Sequence, residues 1–386
     1  MTAPPDQERV RSRSWEGGGV GLGAVIEHLA RLERELTEHD RSPDEHPHPR
    51  NCVLNLIVVV ADRHRAGGCD RTIANLGAGH PLRAILVHPG GTEREGTLDA
   101  EVTVDAHQLV SGFPVQRSQV LLHVHGEAVR HLASLIGPLL VPDVPTYFWW
   151  SGRGHLDRHA IGEATFADVV VVDSERVQRP VDALREMSAF AAGADTSAGV
   201  ADFRWERLRP WRDAIAQFFG PAARRDLLHG LDDVAIDAAG TGRAGRAGAA
   251  LLVGWAAAML GREPIVVERP GEDATEGVAG AAGRRVRLAL RSVPREGVPD
   301  GSLLAVRLRG RSGHRDWRFD VELERSGRQH AAVTIELGGR PPLRQRLELP
   351  RLDDSDLLTH VLLTSRPGAV LARALASAAP LLEALR

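Results

Sequence analysis

The chain has 386 residues, with 48 basic and 51 acidic side chains and a formal net charge of −3. Every basic charge is an arginine, because the sequence contains no lysine, and the near balance excludes the broad positive field that nucleic acid or an anionic membrane would call for. The 2 cysteines, Cys52 and Cys69, lie outside any CxxC spacing, which argues for reduced thiols in a cytoplasm and against a disulfide scaffold or zinc ribbon.

Taken in order, residues 1–19 are charged, poor in apolar partners and end in three glycines, and read as a disordered tail. Met1 to Ser14 carries Arg9, Arg11 and Arg13 but no apolar stretch, so a secretory signal is not expected. Leu22, Val25, Ile26, Leu29, Leu32 and Leu36 then mark one face of a helix that Asp40-Arg41-Ser42-Pro43 ends. From the Val53 to Val60 strand onward, strands and helices alternate. Helices are expected near Asp70 to Leu76, Ala128 to Ile136 and Asp157 to Ala164. Strands are expected near Ala84 to His88, Glu101 to Val104, Gln119 to His125, Thr146 to Trp150 and Asp168 to Val172. This is an α/β domain over residues 20–176, with a mixed sheet and helices, whose Val-rich strands call for cover on both faces.

The second domain, residues 177–386, reads as α+β. A helix near Val181 to Phe190 precedes the run Phe203 to Phe219, where Trp205, Leu208, Trp211 and Ile215 fall at helical spacing and Pro210 suits a first turn. The Val234 to Asp237 strand, the apolar run Ala247 to Leu260 and the Ile265 to Glu268 strand come next. That run falls short of the ~17 to 25 residues of a membrane-spanning helix, so a buried helix is expected. Gly271 to Gly283 reads as a linker or loop. Five period-two segments between Val286 and Leu349 predict an antiparallel meander, and two helices, Asp353 to Leu363 and Ala369 to Leu385, close the chain.

One stretch is compositionally singular. Leu139 to Trp150 holds two of the 7 Trp, the only Tyr and two spaced prolines in a chain with 4% aromatics. Consecutive strand residues face opposite ways, so Trp149 and Trp150 cannot share one interior. Either the strand is central in a doubly covered sheet, or one indole is left for a partner. Asp143, between Pro142 and Pro145, reads as a turn residue or as a functional carboxylate.

Chemistry-bearing patterns are few. Gly240-Thr241-Gly242-Arg243-Ala244-Gly245 is a GxGxxG that comes after a predicted strand and opens a helix, with Glu268 at the end of the next strand, which is the dinucleotide fingerprint in outline. With 40 Gly in the chain such a triplet arises cheaply, and a meander takes the place of the further βα units that a dinucleotide fold would add downstream. His123 and His125 share a strand face, and His155 and His159 sit at i, i+4. Neither pair has a third ligand beside it, and Leu156 stands where a zinc helix carries its glutamate. Asp173-Ser174 ends a strand where α/β sheets place ligands, and is equally a strand's ordinary exit toward a helix. No nucleophile with its base and no paired acid and base are apparent, so no catalytic residue, metal or cofactor is assigned.

Four stretches, in order, resemble the OpcA family: "VLNLIVVV" (Val53 to Val60), "LLVPDVPTYFWW" (Leu139 to Trp150), "FADVVVVDS" (Phe166 to Ser174) and "DFRWERLRPWRDAIAQF" (Asp202 to Phe218). The Pro-x-x-Pro to Trp-Trp segment and the run Trp205 to Arg212 are the specific ones. The resemblance implies a cytoplasmic, non-enzymatic accessory protein that binds glucose-6-phosphate dehydrogenase and promotes its assembly or allosteric activation. Part of that contact is expected at Pro142, Asp143, Pro145, Tyr147, Trp149 and Trp150. Relatives often carry Cys and Glu near Val115 to Gln119, where this chain has Gln116-Arg117-Ser118-Gln119, so a thiol switch is not implied here. The alternatives are a dinucleotide-binding enzyme using Gly240, Gly242, Gly245 and Glu268, and a metabolite-sensing module near Asp173.

Overall fold

Leu54–Val59 is apolar apart from Asn55 and buried at every position, the signature of a strand covered on both faces. In the computed structural model it is strand β2 near the middle of the first sheet. The structure describes residues 11–39, 52–60, 66–76, 81–90, 98–108, 114–126, 131–152, 166–193, 198–280, 285–324, 329–350, 352–364 and 368–386. The chain divides into two compact units, Met1–Val172 and Asp173–Arg386. The first ends a few residues before the boundary expected at Arg176.

In the first unit the elements run β1 (Arg11–Val20), α1 (Leu22–His39), β2 (Leu54–Val59), α2 (Ala66–Leu76), β3 (Leu82–Pro89), β4 (Leu98–Gln108), β5 (Pro114–Val124), α3 (Leu132–Ile136), β6 (Thr146–Trp150) and β7 (Val169–Val172). The strands lie in the order β1-β4-β5-β3-β2-β6-β7. From β5 to β7 all pairings are parallel, and β4 and β1 extend the β5 edge antiparallel. Helix α1 turns Val25, Leu29, Leu32 and Leu36 inward as its spacing predicts. Its buried Glu33 is neutralised by Arg83 and accepts the Ser118 hydroxyl at 2.6 Å.

Residues 11–20 correct the expectation of a disordered tail. They pair with β4 as an edge strand, and Trp15 stacks on His28 of α1 with ring centroids 4.0 Å apart. The pairing shifts register at Gly17 to Val20, where Gly19, at φ +64°, donates its N–H to Asp99 Oδ1 at 2.9 Å. Residues 1–10 and the helix expected over Asp157 to Ala164 lie outside the described residues, as do His155 and His159.

The second unit comprises α4 (Pro180–Ala192), β8 (Gly199–Asp202), α5 (Phe203–Arg207), α6 (Arg209–Phe219), α7 (Ala222–Arg225), β9 (Leu231–Ala239), α8 (Ala247–Leu260), β10 (Ile265–Pro270), β11 (Ala274–Ala279), β12 (Val286–Val293), β13 (Leu303–Ser312), β14 (Arg315–Leu323), β15 (His330–Leu337), β16 (Leu343–Glu348), α9 (Asp354–Leu363) and α10 (Ala369–Ala384). Its sheet has the order β10-β11-β12-β9-β13-β14-β15-β16 and is antiparallel except where β12 meets β9. Two expectations change. The Gly271 to Gly283 linker contains β11, and the meander is interrupted because β9 inserts between β12 and β13.

The core of this unit joins Phe218 and Phe219 of α6 to Trp317 and Phe319 of β14, with Phe218 and Phe319 stacked at 4.5 Å. Helix α8 is apolar all round and is buried. At Gly254 an added Cβ would sit 2.3 Å from the Ala374 carbonyl, so glycine is what lets α8 and α10 cross closely. Asp353 caps α9 through the N–H groups of Ser355 and Asp356, and Asp356 answers to the Asp353 N–H.

Candidate functional site

The aromatic segment leaves α3 through a short 3-10 turn at Gly137–Leu139 and turns at Asp143, whose φ of +61° is the left-handed region that Asp tolerates better than most residues. Two side chains pin this turn. Asn55 bonds Val141 on both its N–H and its carbonyl and also donates to Thr146 Oγ1 at 3.1 Å, and Asp168 Oδ2 accepts the Thr146 N–H at 2.7 Å. Strand β6 then runs between β2 and β7, parallel to both. Being central, it is covered on each face. Trp149 is 0% exposed, Phe148 and Tyr147 are buried and Trp150 is half-buried. Burial raises the Tyr147 phenol above its ordinary value, with the Asp168 charge adding to it. Of the six residues expected to meet a partner, Pro142, Asp143 and Pro145 are therefore the exposed ones.

The GxGxxG segment joins β9 to α8 as the sequence suggests, with Gly240 at φ +108° and Gly242 at φ +75°. Its surroundings carry both charges, with Arg243 of the loop paired to Glu272 at 3.3 Å. A Cβ at Gly240 would meet the Asp300 carboxyl at 2.9 Å, and one at Gly242 would lie 3.1 Å from Glu272 Oε1. The Gly242 carbonyl accepts the Ser292 hydroxyl at 2.6 Å, and Arg246 donates to the carbonyls of Gly271 and Glu272 at 2.7 Å each. Glu268 sits exposed on β10, at the sheet edge, separated from β9 by β11 and β12. In a dinucleotide fold the strand after the glycine-rich turn lies next to the first.

A third place emerges from packing. Asp202 caps α5, accepting the Arg204 N–H at 3.0 Å, the Ser174 N–H at 3.0 Å and the Ser174 hydroxyl at 2.6 Å. Burial lifts this carboxyl to about 6 despite the two Ser174 bonds, with the Asp173 charge raising and Arg204 lowering it. Arg204 is 3% exposed and spends Nε on Ser174 Oγ at 3.0 Å and Nη2 on the Ser174 carbonyl at 3.1 Å, while its Nη1 has no hydrogen-bond partner among the described residues. Arg207 takes Asp173 in a two-pronged pair at 2.8 and 2.9 Å and Glu175 at 3.0 Å. Burial opposes its charge, yet these carboxylates hold it more basic than a free arginine. Of these groups, Arg204, Arg207 and Glu175 border a cavity of about 940 Å³, entirely within the second unit.

Downstream, Arg212 lies 3.3 Å above the Trp205 ring and donates to the Trp205 carbonyl at 3.2 Å, so the run Trp205 to Arg212 folds back on itself. Burial lowers the Arg212 guanidinium to about 10. Two family models match this chain in succession: the glucose-6-phosphate dehydrogenase subunit N-terminal domain over residues 74–189, and the C-terminal domain of the same subunit over residues 198–375.

The chain belongs to the OpcA family. The OpcA protein of Synechocystis sp. is 26% identical over 208 residues, covering 51% of this chain and 40% of that protein. That of Synechococcus elongatus is 28% identical over 188 residues, covering 46% and 40%. The matched region thus spans less than half the length of these curated relatives. Among solved structures, an oxidoreductase from Sinorhizobium meliloti is similar over 85% of this chain and 87% of its own, at 12% identity and a TM-score of 0.43. The WlbA dehydrogenase of Thermus thermophilus, solved with NAD and alpha-ketoglutarate, is similar over 85% and 94%, at 16% identity and 0.42. At such identities and scores neither says anything of chemistry in an OpcA chain. Among the described residues no group of three His, Cys, Asp or Glu is placed to hold a metal, and no helix is long and apolar enough to cross a membrane. Cys69 donates to Ser151 Oγ at 3.2 Å and Cys52 to the Leu54 carbonyl at 3.3 Å.

All three places touch stretches that the sequence singles out, the third through Asp173-Ser174 and the run from Asp202, but the role of Arg204 is not legible there. One arginine among 48 basic residues carries no signal of its own, and only the packing of Ser174, Gly248 and Gly301 around it sets it apart.

Proposed function

We propose that this OpcA-family chain is a cytoplasmic accessory subunit of glucose-6-phosphate dehydrogenase that binds the enzyme and promotes its assembly or activation by contact and not by chemistry. What carries the reading is the succession of both subunit domains along one chain, residues 74–189 and then 198–375. The exposed turn Pro142, Asp143 and Pro145 supports a contact there. It is held rigidly by Asn55 and Asp168, and a preorganised turn loses little freedom when it docks. Trp149 and Tyr147, in the strand that comes after the turn, are buried and have no face to offer a partner.

The test is direct. The cognate dehydrogenase, mixed with an excess of this protein, is compared with the enzyme alone by sedimentation velocity, thermal melting and initial-rate kinetics. A larger sedimenting species together with a higher melting temperature or altered rates is expected. Unchanged sedimentation, melting and rates would refute the accessory role.

A further inference from the structure

We propose that the second unit carries a binding site for a small oxyanion, a phosphate or carboxylate group on a metabolite-sized molecule, recognised by Arg204 in the cavity bordered by Gly248 and Gly301. This site lies within the second unit alone and does not depend on the dehydrogenase reading.

An arginine keeps its proton in any protein environment, so a guanidinium that is 3% exposed is a buried full charge. Such groups are ordinarily matched by a carboxylate, because an isolated buried charge is costly. Among the described residues the Arg204 guanidinium is bonded only to Ser174, through the hydroxyl and the carbonyl, both neutral acceptors. The neighbouring acid, Asp202, already accepts three hydrogen bonds, and its one bond from Arg204 comes from the backbone N–H. Arg207, close by, shows what a satisfied site looks like, since it holds two carboxylates.

Geometry then says where the missing acceptor belongs. The unpartnered Nη1 lies 3.1 Å from where a Cβ would stand on Gly248 and 3.6 Å from where one would stand on Gly301. Both residues line the cavity, and because neither carries a side chain, Nη1, itself buried, lies directly behind its wall. Gly301, at φ +85°, also needs to be glycine for its backbone. The cavity's volume of about 940 Å³ falls in the range of metabolite pockets. Of the three acids on its wall, Glu175 and Glu324 are paired with Arg207 and Arg346, and the third, Asp300, makes no hydrogen bond to Nη1.

The experiment measures thermal melting of the full chain in sodium phosphate against sodium chloride at equal ionic strength, with sodium acetate as the carboxylate arm. A melting temperature about 3 °C higher in phosphate or acetate, saturating with concentration, is expected at roughly ten times the dissociation constant. The arm with the larger shift names the group. Arg204→Met removes the charge while keeping bulk and abolishes the shift. Gly248→Ala, a mild change in a helix, places a methyl against Nη1 and reduces the shift at least several-fold, and it decides the matter if Arg204→Met does not fold. Equal melting of the native chain in all three salts, or an undiminished shift in a folded variant, which would mark an adventitious ion only, overturns the proposal.

Discussion

Asn55 holds Val141 as another strand would: its Nδ2 donates to the Val141 carbonyl at 2.9 Å and its Oδ1 accepts the Val141 N–H at 3.0 Å. An asparagine is the right residue for this, because one planar amide offers a donor and an acceptor side by side. It stands in an otherwise apolar strand, 1% exposed, and fixes the turn from which Trp149 and Trp150 enter the sheet.

Replacing it tests how far the turn depends on it. Asn55→Ala leaves the part-buried Val141 N–H and carbonyl without this partner and should cost about 1 to 3 kcal/mol. Asn55→Asp keeps the acceptor and loses the donor, and should cost nearly as much near neutral pH, since it buries a charge. Denaturant titration of both variants against the native chain checks this. A loss below ~0.5 kcal/mol for Asn55→Ala would show that the turn is held elsewhere.

The aromatic segment separates into a buried base and an exposed rim. Trp149→Ala empties a fully enclosed site and should cost about 3 to 5 kcal/mol of stability. Asp143→Gly at φ +61° should leave the melting curve within about 1 kcal/mol of native, because glycine suits that backbone. If the turn meets the dehydrogenase, that second variant, combined with Pro142→Ser and Pro145→Ser, weakens the complex while the subunit stays folded. Circular dichroism melting and sedimentation with the dehydrogenase read the two effects separately.

Asp202 gives a dependence on pH. Its folded value of about 6 lies above the ordinary 3.8, so the folded chain binds the proton more tightly than the unfolded one. The stability it contributes is fully present below about 3.8 and is lost as pH rises through about 6. The native chain should therefore gain stability relative to Asp202→Asn as pH falls from about 7.5 to about 4, by an amount on the order of 2 to 3 kcal/mol. Chemical denaturation of both proteins at several pH values supplies the comparison, and a constant difference across that range would show that the carboxyl is not shifted.

How much of the fold is legible in the sequence depends on the kind of signal each element carries. Leu54–Val59 and Val169–Val172 are apolar runs bounded by polar residues, α1 is long enough for its period to be plain, and α8 is an apolar run too long for a strand. Strand β1 has no such mark. Both its faces are polar, Trp15 is its one large apolar side chain before the closing Val20, and its glycines imitate a flexible tail. Strand β11 is made largely of small residues, Ala274, Gly277 and Ala279 among them, whose alternation carries little apolar contrast. The placing of β9 between β12 and β13 is a matter of long-range pairing, which local pattern does not specify. The site behaves alike. Asp173 and Ser174 stand out at a strand end, whereas the isolation of Arg204 arises only when Ser174, Gly248 and Gly301 are brought around it.

The Gly240 loop yields the last prediction, that the chain does not hold a nicotinamide dinucleotide there. Glycines alone do not make a pyrophosphate site. The loop must also present free N–H groups at a helix start, leave room for the phosphates and keep negative charge away. Here the Asp300 and Glu272 carboxyls stand beside Gly240 and Gly242, Glu272 paired with Arg243 of the loop at 3.3 Å, and Ser292 and Arg246 bind the loop and its neighbours to the protein. The acid that would take a ribose, Glu268, is exposed on an edge strand separated from β9 by two others. Isothermal titration with NAD and with NADP should give no heat attributable to binding up to about 1 mM, where a site worth about −4 kcal/mol would be half-filled. The opposite outcome is equally well defined: micromolar binding removed by Gly242→Val would mean that Asp300 and Glu272 swing away to admit the cofactor.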